Sequence, residues 1–234
     1  YSFGTNTNSW AIRDSSIDTG IGNDTVTLNA SDLAVSMGQA IEPAYGAVNS
    51  SINLGSGDDS LFINSSGKAL SIGWSWDQSA LAAAYGVIDS TINAGSGNDL
   101  ININVSSTAN ADNGWWGQSS QIAKSVGVSG TNISTGSGND TLNINVSSDA
   151  GGMLNPGDVN VSSYGSYGSS INTGSGDDSI NINASSVSLR TDLWGWESRE
   201  IGLGQSEAVG LEKSTINTGS GDDKVEISAY SFGT

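Results

Sequence analysis

The chain has 234 residues, 24 of them acidic and 7 basic, and a formal net charge of −17. It has no His and no Cys, which excludes the usual zinc sites, Ser-His and Cys-His nucleophile pairs, haem or iron–sulfur ligation and any disulfide framework. The charge speaks against nucleic acid as a partner, because phosphate binding needs clustered Lys and Arg, and no run of ~18 apolar residues is present to span a membrane.

Gly, Ser and Asn together make up about 42% of the chain, a linker-like share, yet the apolar residues recur with order. Tyr1 is not followed by a charged-then-apolar signal segment, so the chain reads as a mature or excised piece. In chain order, one motif of the form Ile-Asx/Ser-x-Gly-x-Gly-Asx-Asp-x-apolar-x-apolar recurs over 17–28, 52–63, 92–103, 133–144, 171–182 and 216–227. The spacings are 35, 40, 41, 38 and 45 residues. Tyr1-Ser-Phe-Gly-Thr5 returns as Tyr230-Ser-Phe-Gly-Thr234. The simple reading is a tandem superrepeat of 229 residues, with 1–5 repeated as 230–234; two terminal strands that match by chance are the alternative.

Each motif predicts strand, turn, strand. Apolar and polar residues alternate with period two on both arms, and the Gly-x-Gly-Asx-Asp between them is turn chemistry. One arm alone exposes an apolar face, and stacking copies buries it. Gly precedes the motif Ile by six residues five times, and Ala11 does so once. The segment between motifs varies in length, and its shortest form closes one coil but not two. The expected fold is therefore all-β, a parallel β-solenoid of six coils of about 30–45 residues, with extra residues bulging as loops. Two shorter coils per period are the alternative. The Asn that follows the motif Ile, at Asn53, Asn93, Asn172 and Asn217, is expected to stack as an amide ladder.

Stacked coils place equivalent turns ~4.8 Å apart. The turns carry Asp24, Asp58, Asp59, Asp99, Asp140, Asp177, Asp178, Asp222 and Asp223, which is half of the chain's Asp on one column, with Lys224 as its one cation. Like charges at that spacing repel by several kcal/mol, so cations or protons must enter the column. With only oxygen ligands on offer, including the amides of Asn23, Asn98 and Asn139, Ca²⁺ is the expected ion. Asx-capped turns without metal remain the alternative.

These turns resemble the haemolysin-type (RTX) calcium-binding repeat, Gly-Gly-x-Gly-x-Asp-x-apolar-x. The resemblance implies a parallel β-solenoid with calcium between successive turns, and by position it assigns the family's Asp to Asp24, Asp59, Asp99, Asp140, Asp178 and Asp223. The family's first Gly is replaced by Thr19, Leu54, Ala94, Thr135, Thr173 or Thr218, and the repeat occurs once per coil rather than in tandem.

All seven Trp share one phase, 22 to 25 residues after a motif Ile: Trp74, Trp76, Trp115, Trp116, Trp194, Trp196 and, counted from the preceding superrepeat, Trp10. They are expected to form a patch in the variable loops opposite the turns. That patch packs over the solenoid flank, joins filaments laterally or stacks on sugars.

The function expected from this pattern is a structural one. The chain reads as a repeat unit of a calcium-stabilised extracellular bacterial filament, surface-layer or adhesin stalk, self-associating head to tail and also laterally. The alternative is a binding module for glycan or ice. The turns resemble those of calcium-dependent ice-binding solenoids, with Ser56, Ser96, Ser137, Ser175 and Ser220 in place of Thr and with Ile21 interrupting the row. A polysaccharide-modifying β-helix enzyme is the third reading. It lacks support, since Arg13, Lys68, Lys124, Arg190, Arg199, Lys213 and Lys224 are scattered in phase, so no enzyme activity is expected.

Overall fold

The computed structural model of the protein describes residues 7–73, 77–113, 118–152, 156–190 and 204–233. The first coil comprises β1 (Ser9–Arg13), β2 (Ser16–Asp18) and β3 (Thr25–Ser36), and the second β4 (Gln39–Val48), β5 (Ser51–Ser56) and β6 (Ser60–Gly73). The third coil follows with β7 (Asp77–Ile88), β8 (Thr91–Ser96) and β9 (Leu100–Asn113), and the fourth with β10 (Gln118–Ser129), β11 (Asn132–Ser137) and β12 (Thr141–Gly152). The fifth is β13 (Pro156–Tyr167), β14 (Ser170–Asn172) and β15 (Ser179–Arg190), and the sixth β16 (Gly204–Glu212), β17 (Thr215–Asn217) and β18 (Lys224–Gly233).

Equivalent strands pair in parallel into three six-stranded sheets. Sheet A runs from β1 to β16, the narrow sheet B from β2 to β17, and the wide sheet C from β3 to β18. The chain is thus a parallel β-solenoid with one coil per motif. The register aligns every motif with the next: Ile17 pairs with Ile52, Ile52 with Ile92, Ile92 with Ile133 and so on to Ile216.

Near sheet B the three sheets enclose a triangular core. The motif Ile, and the two apolar residues after the turn, stack in columns there; Ile52, Leu61, Ile63, Ile92, Ile101 and Ile103 are completely buried. Each such side chain contributes ~1.5–3 kcal/mol over leaving it in water. The Gly six residues before the motif Ile has a volume reason. A Cβ at Gly46, Gly86, Gly127 or Gly165 would overlap the side chain of Ile63, Ile103, Ile144 or Ile182 on sheet C. In the first coil Ala11 takes this place, and Leu28 stands in the column of Ile63.

The residues between motifs were expected to bulge as loops; they instead prolong sheets A and C. Pairing of β6 with β9 continues in register from Ser60 to Gly73, and that of β7 with β10 from Asp77 to Ile88. The two sheets face each other there over a second core of Ala34, Ala40, Ala69, Ala80, Ala82, Ala109, Ala111, Ala123, Ala150, Val159 and Val161. Between the two cores runs a seam of Ser. The Ser65 hydroxyl donates to the Ala44 carbonyl across the gap at 2.8 Å, Ser125 to Ser147 at 2.7 Å, Ser148 to Ser162 at 2.8 Å and Ser163 to Ser185 at 2.6 Å. A Ser hydroxyl that reaches the opposing backbone holds the sheets well inside the ~10 Å usual for stacked sheets. The gap is filled mostly by Ala and Ser, with Val159 and Val161 as the larger apolar members, and a long connection closes as a thin bilayer rather than as a loop.

The amide ladders form as expected. Asn93 donates to Asn53 at 2.9 Å and Asn217 to Asn172 at 3.1 Å, while Asn53 donates to Asp18 at 3.0 Å. A second ladder on sheet C links Asn29, Asn64, Asn104, Asn145 and Asn183 at 2.8–3.1 Å. Among the described residues no helix is long and apolar enough to cross a membrane.

Candidate functional site: the corner between sheets B and C

The Gly-x-Gly-Asx-Asp segment turns the chain from sheet B into sheet C. Both glycines of each turn lie in left-handed backbone, as at Gly55 (φ 102°) and Gly57 (φ 131°). A Cβ at either would run into the backbone carbonyl of Gly20 or Gly22 in the coil before, so stacking as well as φ demands Gly. The corner also carries ladder bonds: Gly22 N–H donates to Ser56 O at 2.8 Å and Ser56 N–H to Gly20 O at 2.9 Å.

The acidic residues do not form a single column. The two Asx of each turn sit on opposite faces. Asp59, Asp99, Asp140 and Asp178 point inward and are 1–2% exposed, and Asp24 and Asp223 hold the same place in the end coils. Asn23, Asp58, Asn98, Asn139, Asp177 and Asp222 point outward and are exposed. Consecutive residues leave an extended backbone on opposite sides, and these turns keep that alternation.

Each row makes its own side-chain-to-backbone ladder, and the two run in opposite directions. In the inner row the Asp24 N–H donates to Asp59 Oδ1 at 2.7 Å, Asp59 N–H to Asp99 Oδ1 and Asp99 N–H to Asp140 Oδ1 at 2.8 Å each, Asp140 N–H to Asp178 Oδ1 at 2.9 Å and Asp178 N–H to Asp223 Oδ1 at 3.1 Å. In the outer row the later coil donates to the earlier one: Asp58 N–H to Asn23 Oδ1 at 2.9 Å, Asn98 N–H to Asp58 Oδ1 at 2.8 Å, Asp177 N–H to Asn139 Oδ1 at 2.9 Å and Asp222 N–H to Asp177 Oδ1 at 2.9 Å. Lys224 does not enter the inner row; its ammonium lies 3.2 Å from Glu226 Oε2 at the surface.

The inner row keeps one unmet demand. The Oδ2 atoms of Asp24, Asp59, Asp99, Asp140 and Asp178 are buried without a hydrogen-bond partner. Burial raises the Asp99 carboxyl to about 6, with the Asp140, Asp59 and Asp58 carboxylates adding to the rise and a backbone hydrogen bond from Asp59 opposing it. Burial raises Asp140 too, against the Thr135 hydroxyl and the Asp99 N–H.

A hard cation fits this donor set chemically, because five of the six coils offer a buried carboxylate oxygen without a hydrogen-bond partner. The ion's neighbours would be Oδ2 atoms, since the Oδ1 atoms are taken by the ladder. Among the described residues no three carboxylates converge on one point. The position that is the first Gly of the calcium repeat points into the core: Leu54, Ala94, Thr135 and Thr173 are 0–1% exposed. Its side chains fill the prism, which is the physical reason it is not Gly.

Sequence reasoning missed the opposite corner, between sheets A and B. Asp14, Asn49, Asp89, Gly130, Gly168 and Lys213 form a column of left-handed residues, with φ between 47° and 60°. The next residue is always Ser or Thr. The Ser50 hydroxyl donates to Val48 O at 2.7 Å and accepts the Ser15 N–H at 3.3 Å; Ser50 N–H donates to Ser90 Oγ at 3.0 Å. The signal was legible as Asx or Gly followed by Ser or Thr before five of the six motifs.

Of the predicted aromatic patch, Trp74, Trp76, Trp115, Trp116, Trp194 and Trp196 lie outside the described residues. Trp10 does not sit in a loop opposite the turns. It belongs to β1, on the outer face of sheet A, and stacks on Tyr45 with ring centroids 5.9 Å apart; Tyr45 stacks on Tyr85 at 5.0 Å. Its place is set by the motif that follows it, which puts it in register with Tyr45. Further along sheet A, Tyr164 donates to Glu207 at 2.7 Å and the Lys213 ammonium lies over the Tyr167 ring at 4.9 Å.

No known protein family matches the chain, and neither a curated protein nor a solved structure matches it.

Proposed function

We propose that the chain is a structural repeat unit of an extracellular bacterial filament, surface layer or adhesin stalk, built by head-to-tail continuation of the solenoid and stiffened by calcium. The observation that carries this reading is the parallel pairing of all three sheets from the first coil to the sixth, with a register shift between β10 and β13 at Ser119–Gln121, together with the pentapeptide shared by 1–5 and 230–234. An extended, regular, self-complementary stack suits a load-bearing rod. Calcium enters the proposal through the row of partnerless Asp Oδ2 atoms, where it would cancel charge and free the buried carboxylates from competing for protons. A binding-module reading draws on the aromatic stack of Trp10, Tyr45 and Tyr85 along the outer face of sheet A.

Three measurements test these readings. Electron microscopy of concentrated protein with and without calcium is expected to show fibres whose axial period is about six strand spacings, ~29 Å. Excess chelator is expected to lower the melting temperature by several degrees; an unchanged melt removes calcium from the proposal. Retention on a glycan array without fibres favours the binding module.

A further inference from the structure

We infer that the sixth coil of one copy receives the first coil of a second copy in parallel register, and that four charged side chains select this register: Glu212 and Lys213 on one face, Arg13 and Asp14 on the other. The inference rests on the head-to-tail reading above and names its junction.

The two faces are opposite ends of the same columns. Arg13 begins a column on sheet A that continues through Val48, Ile88, Ser129 and Tyr167 and ends at Glu212. Asp14 begins the next column, the left-handed corner, which ends at Lys213. The order of signs is reversed between the ends: Arg then Asp on the first coil, Glu then Lys on the sixth. One further strand spacing, ~4.8 Å, would set Arg13 of the second copy over Glu212 and Asp14 over Lys213. A slip of one residue in either direction sets Asp14 over Glu212 or Arg13 over Lys213, like charge on like charge. Each pair now closes on itself, Arg13 with Asp14 at 3.3 Å and Lys213 with Glu212 at 3.4 Å. Their side chains remain 36–66% exposed; a four-charge cluster would replace the Lys213 bond to the Tyr167 hydroxyl at 2.9 Å and the Arg13 contact over the Trp10 ring at 4.9 Å, while Asp14 also accepts from Asn49 at 3.2 Å.

Other columns show why such a device is needed. The apolar faces are ready to join but do not discriminate: Val225 and Ile227 are each 43% exposed, while Ile180 and Ile182, which pair with them, are completely buried. The inner Asp row can continue, with Asp223 N–H as the next donor and Asp24 Oδ1 as the next acceptor. The amide ladder on sheet B cannot. Asn53 donates to Asp18, and a carboxylate has no N–H to hand on to Asn217 of the neighbour. On sheet B the register that the amides support inside the unit is supported at the junction by charge.

The test is assembly of the full 234-residue chain, followed by sedimentation and electron microscopy. E212R/K213D and R13E/D14K are each expected to weaken assembly by about tenfold or more. An equal mixture of the two, in which every junction is again complementary, is expected to assemble like the wild type, and so is the quadruple variant. Wild-type assembly should also weaken as salt rises to about 0.5 M. Variants that assemble as well as the wild type, or a mixture that does not recover, overturn the junction and leave the filament reading standing. A wild type that stays monomeric with and without calcium overturns both.

Discussion

Each coil contributes to two cores of opposite character. The prism beside sheet B is filled with Ile, Leu and Val in columns and is closed by three sheets; the bilayer beyond it is filled with Ala and seamed with Ser between two. In the prism, side-chain volume keeps the sheets apart, and its energy is apolar burial. In the bilayer the backbones set the separation, and the side chains are chosen for being small. The comparison explains why the motif region is nearly constant in length and the remainder is not. A prism edge has one geometry, whereas a two-sheet layer can grow outward by a residue on each strand without disturbing the turns.

The largest effect should come from emptying the prism. Ile144→Ala leaves a cavity between three sheets and is expected to cost ~2–5 kcal/mol by denaturant melting. In the bilayer the sign of good packing reverses. Ala123→Leu adds apolar surface but should destabilise by ~1–3 kcal/mol, because the Ser seam prevents the sheets from separating. A neutral or stabilising result would show that the bilayer is as adaptable as an ordinary sandwich.

A third test probes charge in the thin layer. Glu42 is completely buried in β4, and the nearest donor to its carboxyl is the Ala34 N–H, too poorly placed for a well-formed hydrogen bond. Burial, with the Asp32 carboxylate adding to it, raises it to about 8 from an ordinary 4.5, while the Ala34 N–H acts the other way. The folded protein therefore holds a proton that the unfolded chain releases, so stability is full below about 4.5 and falls as pH rises towards about 8. Glu42→Gln should flatten that decline and gain on the order of 1–3 kcal/mol at pH 8.5 relative to wild type, with little change at pH 4. The smallest effect is expected from Ser125→Ala, which removes the hydroxyl 2.7 Å from Ser147 O and should cost ~0.5–1.5 kcal/mol.

The repeat carried much of the fold in plain view. Period-two alternation on both arms of the motif marks strands that become β2 and β3, β5 and β6 and their successors. The shortest connection left room for one coil only. The Asn after the motif Ile stacked because parallel in-register strands place like residues together. What alternation could not reveal was on which side of the corner each Asx would leave. Asp58 and Asp59 are adjacent in sequence, yet one is exposed and the other 1% exposed. Charge bookkeeping that pooled them made one dense column where the molecule has two ladders.

The sequence alone pointed to one coil per motif, to parallel stacking and to Gly-rich turns, because each depends on residues that repeat at matching positions. The tertiary structure decided the rest: the bilayer in place of loops, the alignment of Trp10 with Tyr45, the hydroxyl column at the second corner and the burial of Glu42 beside Asp32. These depend on what lies across a gap, and a sequence lists neighbours along the chain but not those facing it from the other sheet.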